Sequence, residues 1–333
     1  MNIQPINFDY TERYSTLGSS TFIQRRREKA GPLLTLTLNT FDPIFVEVAA
    51  QIGVDIIWIE MEHASISLRE AENLTRMIQG NGLLSLIRLP NCDREIVLKT
   101  AEIGADMLMA PMITHRSDLE NLVKFSRYAP QGERGFYVSS RALNYGLGST
   151  LAELRAVAND RLMLWAQVET LPALELLDEF CQVPGIDGIF IGSGDLSSAY
   201  GVPGETTDPR VVRAVSRGVE ASRRYQKCCA SVMPAAEISN WRDCELDMVA
   251  IGGNVGFYVA AAKALQEKLH MHPQPKVTVK SSRGNGCATA DVGKPAESME
   301  KHPIVPKPHK LQVDGEFVAL PSAIRVDHEN QQS

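Results

Sequence analysis

The sequence predicts an α/β protein folded as a (β/α)8 TIM barrel, with a short N-terminal helix and an irregular C-terminal tail. Three observations carry this. Between residues 33 and 270, short apolar runs alternate eight times with longer helical ones. The apolar runs are continuous rather than alternating, as expected of parallel strands buried on both faces. The turn after the first run reads LNTFDPIF and has no GxGxxG, so a doubly wound dinucleotide-binding sheet loses its main support. A chain of 333 residues suggests about two domains at ~150 residues each, but α/β barrels of ~250 residues are single domains. The expected plan is a flexible arm (1–18), a barrel (19–270), and a Pro-rich tail (271–333) that is disordered or wraps a partner.

The elements follow in order. STFIQRRREKAG (19–30) reads as a short helix stopped by Gly31 and Pro32. LLTLTLN (33–39) is the first strand. DPIFVEVAAQIG (42–53) is a helix with Asp42 as N-cap, Pro43 in its first position and Gly53 past its end. Strands at 54–61, 82–90 and 105–112 alternate with helices at 68–80, 94–104 and 117–128, and Gly80 and Gly104 close the first two of those helices. Residues 129–160 interrupt the alternation with a long loop and the helical run LAELRAVAND. It resumes with strands at 162–169, 186–192, 227–233 and 247–253, and helices at 171–181, 209–226, 236–244 and 256–270. The tail holds seven of the eighteen prolines, and its one patterned stretch is KLQVDGEFVAL (310–320), a strand pair turning at Asp314-Gly315.

Composition removes several functions. The net charge of −6 argues against nucleic-acid binding by phosphate neutralisation, though not against a local site for a small acid. No window holds the ~18 uninterrupted apolar residues of a membrane span. The N-terminus has no basic-then-apolar signal layout and the last residues are not a peroxisomal tripeptide, so the cytoplasm is the expected compartment. The six cysteines form no CxxC pair and read as reduced thiols.

In this fold chemistry sits at the C-terminal ends of the strands. Strand 2 ends in Glu60-Met61-Glu62-His63, strand 3 in Arg88, strand 5 in Gln167-Val168-Glu169, and strand 6 in Gly192-Ser193-Gly194-Asp195. Glu169 and Asp195 end consecutive strands and can share one hard divalent cation such as Mg²⁺ or Mn²⁺. The alternative is that Glu169 caps the following helix and Asp195 a turn. His63 beside two carboxylates is a candidate base, or else a packed or surface histidine. Arg88 ends a buried strand, where an arginine either binds an anion or pairs with Glu60 or Glu62. The exposed N–H groups of the GSGD segment suit a carboxylate or phosphate. No strand ends in lysine, which excludes imine chemistry and leaves carbonyl activation to a metal and Arg88.

Six segments in order, VDIIWIEMEHA, LIRLP, AEIGADMLMAPM, YAPQGERG, WAQVE and GIDGIFIGSGDLS, resemble the HpcH/HpaI aldolase family over about residues 20–270. The resemblance implies a class II, divalent-metal enzyme (Mg²⁺, with Mn²⁺ or Co²⁺ as alternatives) that forms a pyruvate enolate from a 2-keto acid. The reaction is then retro-aldol cleavage of a 4-hydroxy-2-keto acid or decarboxylation of oxaloacetate. It implies Glu169 and Asp195 as metal carboxylates, and His63 and Arg88 as catalytic residues. Gln167 and the backbone of Gly192, Ser193, Gly194 and Asp195 would bind substrate. Family members are commonly hexamers, trimers of dimers with exchanged C-terminal helices, in which a neighbouring subunit's acid supports the histidine; that position is Glu102. The chain departs from the family pattern with Glu at 60 and 102 in place of Asp, GSGDLS in place of GPADLS, and a tail resembling the fungal macrophomate synthase-like branch. Those departures leave a biosynthetic enolate-adding enzyme and a non-catalytic keto-acid-binding or interaction barrel as alternatives.

Overall fold

Eight parallel strands close into a barrel in sequence order, and β8 returns to pair with β1. They are β1 (Leu33–Leu38), β2 (Ile56–Glu60), β3 (Leu84–Arg88), β4 (Met107–Ala110), β5 (Met163–Val168), β6 (Gly188–Ile191), β7 (Cys228–Val232) and β8 (Met248–Gly253). This is the (β/α)8 architecture expected from the alternation of short apolar runs with helical ones. The computed structural model describes residues 19–29, 31–234, 245–271, 310–313 and 316–319. The chain divides into two units, Met1–Gln274 and Pro275–Ser333.

Helices follow the strands for the reasons anticipated. Helix α1 is Ser19–Glu28 and α2 is Pro43–Gln51. The Asp42 side chain accepts the Phe45 N–H at 3.0 Å and Pro43 fills the first turn. Helix α3 (Leu68–Gly80) begins on a capping box in which Ser67 and Glu70 satisfy each other's backbone N–H. Helix α4 (Arg94–Ile103) ends on Gly104 at φ +76°, a left-handed cap suited to glycine. Helices α5 (Arg116–Ser126) and α6 (Leu151–Arg161) precede β5.

Three features differ from expectation. The helix predicted over 171–181 is two short ones, α7 (Leu171–Leu174) and α8 (Leu177–Cys181). Apolar spacing runs straight across the break, so periodicity cannot reveal it. Residues expected as an open GSGD loop form helix α9 (Ser193–Ala199), whose Leu196 N–H donates to Gly192 O at 3.1 Å. A seven-residue polar helix carries too little apolar pattern to be read from sequence. Within the 129–160 interruption, Arg141–Gly146 forms a 3-10 turn with Asn144 and Tyr145 at positive φ. Helix α10 (Pro209–Arg224) and helix α11 (Asn254–Met271) complete the barrel unit. The predicted helix at 236–244 and the arm at 1–18 lie outside the described residues.

In the second unit, β9 (Lys310–Val313) and β10 (Glu316–Ala319) pair antiparallel with Val313 opposite Glu316. That register leaves two residues between the strands, the spacing that predicts a hairpin at Asp314-Gly315; those two residues lie outside the described ones.

Burial separates the barrel into two cores. Outward-facing strand residues such as Ile57, Ile59, Leu108 and Ile189 pack against the helices. Inward-facing ones fill the interior, among them Trp58, Leu86, Met109, Trp165 and Phe190. Phe22 of α1 belongs to this interior core and meets Trp165 edge-on at 5.7 Å. The interior is therefore packed with side chains, and polar groups belong at its rim.

Two surfaces stay apolar. Ile44, Val48 and Ile52, spaced at i, i+4, i+8, form an exposed stripe along α2 and its end. Helix α11 exposes Val255, Phe257, Tyr258, Val259, Leu265 and Leu269.

Candidate active site

Strand alternation sends Glu60 of β2, Arg88 of β3 and Gln167 of β5 inward at the C-terminal end of the barrel. Glu60 and Arg88 are register partners. Arg88 Nε donates to Glu60 Oε2 at 2.6 Å, and Nη1 lies 3.0 Å from Glu62 Oε2 and 3.5 Å from Gln167 Oε1. Nη2 has no hydrogen-bond partner among the described residues. The predicted alternative of a salt bridge to Glu60 or Glu62 is thus present with both, and it still leaves one guanidinium nitrogen for a ligand. Glu60 also accepts the backbone N–H groups of Glu62 and His63 through Oε1, at 2.8 and 2.9 Å. One buried carboxylate therefore ties down both the arginine and the turn that carries the histidine.

The network continues across the rim. Gln167 donates through Nε2 to Glu169 Oε2, and the Met112 N–H donates to Glu169 Oε1 at 2.8 Å. Met112 holds φ +49°, an uncommon conformation for a methionine, and so places its N–H on the carboxylate. Asp195, in the first turn of α9, is within hydrogen-bonding reach of Glu169. Burial pushes Glu169 up to about 7, and the Asp195 and Glu62 carboxylates add to the shift against the Met112 N–H. Glu62 is also raised, by burial first, with Arg88 and His63 opposing. Neither Glu169 nor Asp195 takes up the capping role considered from sequence: Thr170 caps α7, and Asp195 is the third residue of α9.

Four carboxylates (Glu60, Glu62, Glu169, Asp195) thus share one rim with a single guanidinium, which pairs with Glu60 and Glu62. This excess negative charge calls for a proton or a cation, and the donors are hard oxygens suited to Mg²⁺ or Mn²⁺. The cradle is close. A Cβ built on Gly192 would stand 2.6 Å from Glu169 Cβ and 2.7 Å from its Oε2. The donor chemistry fits a divalent ion, which Glu169 and Asp195 would hold. Among the described residues no group of three or more His, Cys, Asp or Glu side chains is placed to hold a metal ion.

The other predicted residues fall in different places. His63 stands on the same rim, exposed, with Nε2 3.7 Å from Glu62 Oε2. Ser193 is buried and its hydroxyl is committed to Val232 O at 3.0 Å, so only its backbone is on offer. The Gly192 N–H already donates to Val168 O at 3.0 Å, which removes it as a substrate donor. The free donors of this segment are those of the first turn of α9, from Ser193 to Asp195. Glu102 lies on α4, held by Arg134 at 2.8 Å and Tyr128 at 3.3 Å, and no ion pair joins it to His63 within the described residues. It lines an open cavity of about 690 Å³ with Leu98, Phe136, Tyr137 and Tyr145. Sequence reasoning missed Glu62 as a site residue, although its i, i+2 relation to Glu60 was a usable signal. It also missed the Met112 N–H, for which a sequence carries none.

Two expectations arise here. Gly192→Ala forces Glu169 aside, so divalent-ion affinity measured by calorimetry falls at least about tenfold, with an overpacking cost of ~1–3 kcal/mol in thermal unfolding. In the metal-free protein a raised Glu169 makes the folded state bind more protons than the unfolded one. Stability then falls as pH rises from the ordinary carboxylate range to about 7. Melting in chelator across that window checks the sign; a melting temperature rising with pH contradicts it.

Residues 34–258 match the family model described as HpcH/HpaI aldolase/citrate lyase. The 2-keto-3-deoxy-L-rhamnonate aldolase of Escherichia coli (strain K12) is 30% identical over 266 residues, covering 79% of this chain and 96% of that protein. A crystal structure of an HpcH/HpaI aldolase from Desulfitobacterium hafniense DCB-2 matches with a TM-score of 0.70 at 25% identity, covering 76% of this chain and 98% of that one. Macrophomate synthase shares the fold, with a TM-score of 0.61 at 18% identity over 78% of this chain and 91% of its own.

Proposed function

The chain belongs to the HpcH/HpaI aldolase/citrate lyase family, and from that premise we propose that it is a divalent-metal carbon–carbon lyase that forms a pyruvate enolate from a 2-keto acid. One observation carries the reading. Glu169 and Asp195 meet on the rim where Arg88, braced by Glu60, keeps Nη2 open. Glu169 and Asp195 would hold the cation, which would supply positive charge to offset that of the enolate.

The chain's own residues supply the rest. Arg88 offers Nη2 to the same oxygen and stabilises the charge that builds on it. The first-turn N–H groups of α9 orient the substrate carboxylate. In cleavage of a 4-hydroxy-2-keto acid, His63 takes the C4 hydroxyl proton through water. The C3–C4 bond breaks, the aldehyde departs, and the electron pair becomes the enolate, which a proton at C3 converts to pyruvate. The E. coli relative's name, an aldolase for a 2-keto-3-deoxy acid, favours cleavage of this class over decarboxylation.

A second copy of the chain completes the reading. The exposed apolar stripe on α2, the exposed α11 and the Glu102 cavity support a homo-oligomer in which Glu102 of one copy approaches His63 of another. No described helix is long and apolar enough to cross a membrane. The test couples pyruvate release to lactate dehydrogenase, with 2-keto-3-deoxy acids or oxaloacetate and Mg²⁺ or Mn²⁺. Metal-dependent release that a chelator stops supports the proposal; no release with any of these substrates contradicts it.

A further inference from the structure

We propose that Trp58 is a positioning residue for Arg88, its indole face fixing the tilt of the guanidinium that meets the keto acid. The inference rests on the reading of Arg88 given above. Trp58 lies two residues before Glu60 on the inward face of β2, directly beneath the Glu60–Arg88 pair in the register. Arg88 Cζ stands 4.9 Å from the centroid of the Trp58 ring, and Trp58 is only 5% exposed.

The other contacts of Arg88 are made by Nε and Nη1, with Glu60, Glu62 and Gln167. Those two nitrogens donate on opposite sides of the guanidinium, and Nη2 has no partner of its own to hold it. A ring beneath the face restrains the tilt of the plane, and with it the direction of the free Nη2.

The indole is itself held. It meets Phe190 edge-on at 5.3 Å and 77°. Phe190 is fully buried and pairs in register with Gln167, the residue that touches both Arg88 and Glu169. Lower in the barrel, Trp165 is gripped by Gly188, where a Cβ would come within 2.5 Å of the ring, and by Phe22. The interior below the site is packed with apolar side chains, Leu86, Met109, Trp165 and Phe190 among them.

Of the aromatic side chains, tryptophan offers the most effective face for a cation.

The test uses full-length protein and two readouts: oxalate, a mimic of the pyruvate enolate, titrated by calorimetry in the presence of Mg²⁺, and crystal structures that locate Arg88. Trp58→Leu is expected to weaken oxalate about tenfold and to leave Arg88 displaced or in two orientations, while affinity for Mg²⁺ alone changes less than about twofold. Trp58→Phe, which keeps a ring, is expected to restore oxalate affinity to within about threefold. If Trp58→Leu does not fold, Trp58→Met, which is large, apolar and ringless, takes its place. Unchanged oxalate affinity with Arg88 unmoved in the ringless variant overturns the proposal, as does an equal loss in Trp58→Phe. If the wild type neither binds oxalate nor releases pyruvate, the keto-acid reading fails separately. The position of Arg88 in the variant crystals still decides whether Trp58 holds it.

Discussion

Replacing Glu169 with alanine abolishes divalent-ion binding and lowers pyruvate release by roughly 10³-fold or more, while the barrel remains folded. The size of the effect follows from what the residue holds. Glu169 is buried, receives the Met112 N–H and the Gln167 amide, and lies against Asp195. Removing it leaves Asp195 alone to hold a cation. The fold survives because the lost group is one that burial disfavours: its carboxyl is pushed up to about 7 in the metal-free protein. Calorimetry with Mn²⁺, circular dichroism and the coupled pyruvate assay together check the result. A Glu169→Ala protein that retains wild-type activity contradicts the assignment.

Replacing Arg88 with lysine lowers kcat/KM by about 10²–10³-fold with little loss of stability. Lysine keeps the positive charge that Glu60 and Glu62 require, but it lacks the fork that reaches Glu60, Glu62 and Gln167 while leaving Nη2 for substrate. Arg88→Ala separates the two roles. It leaves two inward carboxylates facing each other without a counter-charge, and destabilises the protein by ~3–5 kcal/mol in addition to losing activity. Steady-state kinetics and thermal melts of the two variants side by side distinguish them. Equal destabilisation by lysine and alanine indicates that shape rather than charge holds the site.

The barrel was legible because its parallel strands are buried on both faces and therefore write continuous apolar runs, as IIWI and MLMA do. The acidic rim was legible for the complementary reason. Glu60, Arg88, Gln167 and Glu169 interrupt or end those runs, and a buried strand tolerates such residues only where they are paired or used. What could not be read is structure made by backbone. The Met112 N–H on Glu169, the commitment of the Gly192 N–H to Val168, and the seven-residue α9 leave no side-chain period. Contacts across the sheet were equally hidden. Trp58 reads as one more apolar strand residue, and only the register that sets Glu60 beside Arg88 places its ring under the guanidinium. Glu102 shows the limit of a single chain. The family resemblance implies a place beside a neighbour's histidine, whereas within this chain its partners are Arg134 and Tyr128.

On the proposed function, one rim holds a divalent ion and a keto acid together. Crystals soaked with Mn²⁺ and pyruvate, measured for the anomalous signal of manganese, test this. The expected result is a single manganese peak between the Glu169 and Asp195 carboxylates, with pyruvate beside it and an oxygen within hydrogen-bond distance of Arg88 Nη2. Manganese bound elsewhere, or pyruvate seated away from Arg88, contradicts the account.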